Sequence, residues 1–204
     1  MSIFKGVFGP SQEEIWRPFA EEIDAEFIDN GVWKSKKILY KHENWTIILD
    51  TYSESSGKSS TTYTRMRAPY RNKDGFNFKI YNSGFFSDIG KKFGMQDIEI
   101  GYPDFDEKFI IKGNDEDKLK ELFESEKIRE FIQLQDKIHL EIKEDEGFFG
   151  SEIPEGVNLL YFKTIGVIKD TERLKRLYML FAMVLNKLHI MGSAYEDVPK
   201  VTLK

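Results

Sequence analysis

The segment from Asp170 to Gly192 places the strictest condition on what this chain can fold into. Leu174, Leu177, Tyr178, Phe181, Val184, Leu185 and Leu188 follow a helical period, and from Leu177 to Leu185 the helix is apolar on every side. A helix with one apolar stripe rests on one neighbour, whereas a helix apolar all round must be covered by several. Asp170-Thr171 caps its start and Gly192 ends it. No stretch reaches the roughly 18 apolar residues of a membrane span, so this helix is expected inside a globular core.

Between the N-terminal region and this helix the hydrophobic period changes from helix to strand and back. Ser11-Gln12-Glu13-Glu14 has the spacing of a capping box, and Ile15, Phe19, Ile23 and Phe27 recur every fourth residue. A helix over Ser11 to Asp29 is predicted, kinked at Pro18 and stopped by Asn30-Gly31. Lys36–Lys41, Trp45–Ser53, Thr61–Ala68 and Phe76–Tyr81 are rich in Ile, Tyr, Thr and Phe and are joined by short polar connections. They read as an antiparallel meander. One or two helical turns are expected in Phe85 to Phe93, and a further strand over Asp106–Lys112, with Phe105 plugging the core from the preceding turn.

Asn114 precedes two helical segments, Asp115–Glu124 and Glu126–Leu134, with Leu119, Leu122, Phe123, Ile128, Phe131 and Ile132 on an apolar side. Lys137–Lys143 alternates, and Val157–Ile165 answers it as an open hairpin. The fold class is therefore α+β. A curved, mostly antiparallel sheet of about six to eight strands is packed by a kinked N-terminal helix, a middle helix pair and a long buried C-terminal helix. With no internal repeat or low-complexity linker, residues 1–204 are expected to form one domain, with 1–10 and 193–204 as flexible tails.

Composition narrows the chemistry. Hydrophobic residues are 40% and charged residues 32% of the chain, too apolar for disorder and too charged for a membrane-embedded protein. The 17 Phe, 9 Tyr and 3 Trp call for a dense aromatic core. The absence of cysteine excludes disulfides, thiolate zinc sites, iron–sulfur clusters and thiol nucleophiles. A net charge of −5 gives no global attraction to nucleic acid or anionic lipid. Met1 to Pro10 lacks the apolar run of a secretion signal, so a cytoplasmic location is expected.

No segment carries a complete catalytic pattern, and no cofactor is expected. Gly57-Lys58-Ser59 resembles the end of a phosphate-binding loop, but Tyr52 stands where that motif needs glycine and the segment joins two strands, so a polar hairpin is expected. Asp97, Glu99, Asp104, Asp106 and Glu107 offer carboxylates for a divalent metal or for acid–base work, with solvated acids and turn caps as the plainer alternative. His42, His139 and His189 lack ligand spacing, and His139 is expected on an outward strand face beside Glu141. Tyr63, Arg65 and Arg67 share a strand face by alternation, and Arg71 follows. They form the best candidate for contact with an acidic or anionic partner, unless the cations pair with the acids of Asp97–Glu107 or remain solvated on the sheet.

Gly94-Met95-Gln96-Asp97-Ile98-Glu99-Ile100-Gly101, followed by Asp104-Phe105-Asp106-Glu107-Lys108-Phe109-Ile110-Ile111, resembles a signature of bacterial protein families of unknown function. The resemblance extends from about Trp45 to Leu188. It implies no activity, cofactor or catalytic residue. The expectation is a non-enzymatic binding module. The alternatives are a metal-assisted hydrolase or transferase built on Asp97, Glu99, Asp104 and Asp106 and completed by His139, and a binder of lipid or another apolar ligand between the sheet and the C-terminal helix.

Overall fold

A computed structural model describes residues 9–29, 31, 36–83, 97–146, 151–197, 199, 201 and 203. Helix α1 (Gln12–Glu22) begins with a complete capping box, in which the Ser11 hydroxyl accepts from the Glu14 amide and the Glu14 carboxylate accepts from the Ser11 amide. It ends well before the predicted Asp29. Asp24 takes φ 54, the Ala25 amide reaches back to the Ala20 carbonyl and the Asp24 amide to that of Glu21, a Schellman stop made without glycine. Freed from the helix, Glu26–Ile28 forms strand β1, and Phe27 lies opposite Ile38.

Strands β2 (Lys37–His42), β3 (Trp45–Ser56) and β4 (Ser59–Arg71) continue as the expected meander. The β3–β4 turn holds Gly57 at φ 60 between Ser56 and Ser59, so the phosphate-loop look-alike is a hairpin tip. Beyond β4 the meander breaks. Strand β5 (Phe78–Asn82) pairs with β6 (Phe109–Gly113) and β7 (His139–Lys143), while β8 (Val157–Ile165) fills the place beside β4. Among the described residues the result is one curved antiparallel sheet of eight strands in the order β1-β2-β3-β4-β8-β7-β5-β6. Phe85 to Phe93 lies outside the described residues, as do Gly94, Met95 and Gln96.

The predicted strand over Asp106–Lys112 begins later, because Pro103–Lys108 forms a short helix, α2. Pro103 suits a first helical position, and the Asp106 carboxylate accepts from the amides of Ile100, Gly101 and Tyr102, each at 3.0 Å. Phe105 does plug the core, from α2, with its ring 4.7 Å from that of Phe109.

Helices α3 (Glu116–Phe123), α4 (Glu126–Gln133) and α5 (Thr171–Ile190) join α1 over one face of the sheet. Asp170 caps α5 through the amides of Glu172 and Arg173, and its buried Leu174, Leu177, Phe181, Val184, Leu185 and Leu188 belong to one core with Trp16, Phe78, Leu140 and Phe162. Trp16 donates its indole N–H to the Ile168 carbonyl at 2.9 Å, which ties α1 to the approach to α5. The segment after α5, expected as a tail, is docked in its described part. Ala194 bridges to Asn72, and Leu203 packs with Ile48 and Leu159 on the other side of the sheet.

Candidate functional site

Strand alternation sends Met66, Ala68, Leu140, Phe162 and Ile80 toward the helices and the residues between them to the opposite, outer face. That face is charged and aromatic, yet much of it is buried. Direct cross-strand partners run Lys112, Lys79, Glu141, Tyr161, Arg67 and Ile48 across six strands.

The predicted trio Tyr63, Arg65 and Arg67 does share this face, but Arg67 is fully buried and is no contact surface. Its partners are not the acids of Asp97–Glu107. Arg67 donates to Asp50 and to Glu146, each at 2.6 Å, and Arg65 grips Asp50 with two bonds of 2.8 and 2.9 Å. Asp50 is also fully buried, and the Glu146 carboxylate accepts from the Ser151 amide. Burial pushes the Glu146 carboxyl up, and the Arg67 guanidinium more than offsets this, so it titrates below its ordinary value. Arg71 lies apart from the trio's charge network, paired with Asp197 at the surface.

Tyr63 has different company from that expected. Its ring stacks on Tyr52 at 5.3 Å, Arg65 lies over the Tyr52 ring at 4.9 Å, and the Lys163 ammonium lies over Tyr63 at 5.2 Å. The Tyr52 and Tyr161 hydroxyls are 3.3 Å apart. Tyr52, Tyr63, Arg65 and Lys163 are partly exposed, and Ile165, two residues beyond Lys163 on the same strand face, is 50% exposed. Sequence reasoning missed Tyr52, Lys163 and Ile165, although the alternation that selected Tyr63 and Arg65 holds on their strands too.

His139 is expected on the outward strand face beside Glu141. It does point away from the helices, but it is buried, stacked on Tyr81 at 6.4 Å, with Nε2 2.8 Å from Glu141 Oε1. Burial holds the imidazole below its ordinary pKa against the pull of Glu141. Burial alone would raise the Glu141 carboxyl, but the His139 hydrogen bond and the ammonium groups of Lys143 and Lys79 outweigh it and hold it well below the carboxylate range.

The acids Asp97, Glu99, Asp104 and Asp106 do not converge. Asp97 pairs with Lys112 at 2.9 Å, Asp106 is occupied by three backbone amides, and Glu99 and Asp104 are exposed. Among the described residues no three His, Cys, Asp or Glu side chains are grouped to hold a metal ion.

Two depressions accompany these features. A cleft of about 330 Å³ over β5, β6 and β7 is lined by Lys79, Lys112, Lys143, Glu141, Glu144 and Asp145, with Asn77 at one end. On the helical side, an apolar groove of about 280 Å³ runs between Ile23, Tyr40, Tyr178, Met179 and Ala182, with His42 and Lys175 at its edge. The Tyr178 hydroxyl beneath it is buried with no hydrogen-bond partner among the described residues. No described helix is long and apolar enough to cross a membrane.

Fold and faces together define an α+β protein whose single antiparallel sheet carries helices on one side and a charged, tyrosine-rich surface on the other. No protein-family model and no curated protein matches the sequence. Among solved structures, the fold is similar to the mycobacterial trehalose monomycolate transport factor A, with a TM-score of 0.50 at 9% identity over 94% of this chain and 98% of that one.

Proposed function

We propose that this protein is a non-enzymatic binding module whose contact surface is the outer-face patch of Tyr52, Tyr63, Arg65, Lys163 and Ile165. The stacked Tyr52 and Tyr63 rings flanked by two cations carry the proposal. Tyrosine and arginine are enriched where partners dock, tyrosine because it brings large area with few rotamers and arginine because its planar fork suits carboxylates and ring faces. Anchoring by Asp50 fixes the Arg65 fork before a partner arrives, which lowers the ordering cost of binding. An acidic peptide fits the chemistry. A fluorescein-labelled hexaglutamate peptide is expected to bind in a salt-sensitive manner, and Tyr63→Ser with Lys163→Glu to weaken it at least about tenfold without lowering the melting temperature. Binding no stronger than that of a neutral Gly-Ser peptide refutes the assignment.

The apolar groove favours a second reading, a carrier of an acyl chain. Its walls are apolar, Met179 is 52% exposed beside it, and the Tyr178 hydroxyl, without a hydrogen-bond partner among the described residues, offers a polar end point. The architecture shared with a transport factor for trehalose monomycolate supports a role of this kind. A fluorescent fatty-acid probe displaced by dodecanoate, and excluded by Met179→Lys, is the expected result. No displacement removes this reading and leaves the first untouched.

A further inference from the structure

The groove on the helical side is lined by Ile23, Tyr40, Tyr178, Met179 and Ala182, with Lys175 and His42 at its edge. Tyr178 is buried among apolar neighbours, and the Tyr40 ring meets it edge to face at 5.3 Å. Its hydroxyl has no hydrogen-bond partner among the described residues. Burial pushes the phenol well above its ordinary pKa, so at neutral pH it keeps a proton to donate. Buried tyrosine hydroxyls usually find an acceptor, and a donor left without one carries the full cost of its desolvation. The unmet donor marks the place of a ligand's acceptor.

Charge at the mouth decides which acceptor it is. The Lys175 ammonium already meets Glu22 at 2.6 Å and Glu172 at 3.0 Å. Two carboxylates on one ammonium leave an excess of negative charge there, which repels a fatty-acid carboxylate and accepts hydrogen bonds from neutral hydroxyls. A carboxylate drawn inside to Tyr178 would also lose its water without a free cation to replace it. A neutral carbonyl meets neither obstacle. The volume of about 280 Å³ holds roughly nine groups of methylene size, at about 30 Å³ each, a water molecule's share of the liquid.

We infer that the groove binds a neutral acyl ester of a polyol, its ester carbonyl accepting from the Tyr178 hydroxyl, its chain lying along Ile23, Met179 and Ala182, and its free hydroxyls donating to Glu22 and Glu172. This rests on the carrier reading of the same groove and adds the headgroup chemistry that the groove selects.

The test displaces the fluorescent fatty-acid probe with three amphiphiles of equal chain length. They are glyceryl dodecanoate, glyceryl dodecyl ether, which keeps the chain and hydroxyls but lacks the carbonyl, and dodecanoate. The ester is expected to bind about tenfold tighter than either of the others. Tyr178→Phe should weaken the ester about tenfold, to the level of the ether, and leave the ether unchanged. The variant removes a buried donor that lacks a partner, so its melting temperature should not fall. Equal affinity for ester and ether, dodecanoate bound as tightly as the ester, or a Tyr178→Phe variant that keeps the preference overturns this inference and leaves the carrier reading standing. Displacement by none of the three overturns both.

Discussion

Arg67 Nη2 lies 2.6 Å from Asp50 Oδ2 with both side chains fully buried on the face of the sheet away from the helices. A buried pair with good geometry is costly to break from one side, because the surviving charge keeps its desolvation cost and loses its compensation. Asp50→Ala removes the buried carboxylate that Arg65 and Arg67 share, and it is expected to destabilise the fold by about 3–5 kcal/mol in urea denaturation. Asp50→Leu combined with Arg67→Met should cost less than Asp50→Ala. A single variant with the wild-type midpoint would show that this network is not structural.

Acid should loosen the same face in two stages. His139 is held below its unfolded pKa of about 6.5 and Glu141 below its unfolded value of about 4.3. For both groups the unfolded chain binds the proton more readily, so their contribution is complete above the unfolded pKa and is lost as pH falls through it toward the folded one. Stability should decline below about pH 6.5, with a slope of up to about 1.4 kcal/mol per pH unit from His139, and decline again below about pH 4.3. His139→Gln, whose amide can still donate to Glu141, should flatten the first stage only. Denaturation midpoints measured from pH 7.5 to 4 decide this, and an unchanged profile in the variant assigns the first stage elsewhere.

How far the sequence spoke depended on how local the determining contacts are. Alternation located the strands because each residue's face follows from its neighbours two away, and the ends of β8 and α5 match the predicted Val157–Ile165 and the Asp170 cap. The first helix was drawn too long because Phe27 continues a four-residue spacing, while the stop is an aspartate in a conformation glycine usually takes. Helix α2 was hidden because Phe109 and Ile111 alternate as a strand should, and Phe105 extends that pattern backward into Pro103–Lys108. The outer face was the least legible. Arg65 meets Asp50 across 15 residues and Glu146 across 81, so neither the burial nor the partners could be read from local spacing.

The C-terminal helix rewards a quantitative test because its two sides differ. Phe181 is fully buried in the main core, whereas Met179 on the same helix is half exposed. Phe181→Ala removes transfer energy and leaves a cavity, for an expected loss of about 3–5 kcal/mol. Met179→Ala should change stability by less than about 0.5 kcal/mol. Similar midpoints for the two variants would contradict the burial of α5 on more than one side.

Asp24 closes α1 at φ 54, where an L side chain carries strain that glycine lacks. Replacing it with glycine relieves about 1 kcal/mol of that strain, but the unfolded chain also gains freedom, which takes back about half. Asp24→Gly is therefore expected to stabilise the protein by about 0.5 kcal/mol. Asp24→Ala keeps a Cβ in the left-handed region and loses the short polar side chain that tolerates it, so it should destabilise by about 1 kcal/mol. The two substitutions thus move the urea midpoint in opposite directions although both shorten the same side chain. If alanine and glycine shift it alike, the left-handed stop is not what ends the helix, and the early turn into β1 must be held by the pairing of Phe27 with Ile38 instead.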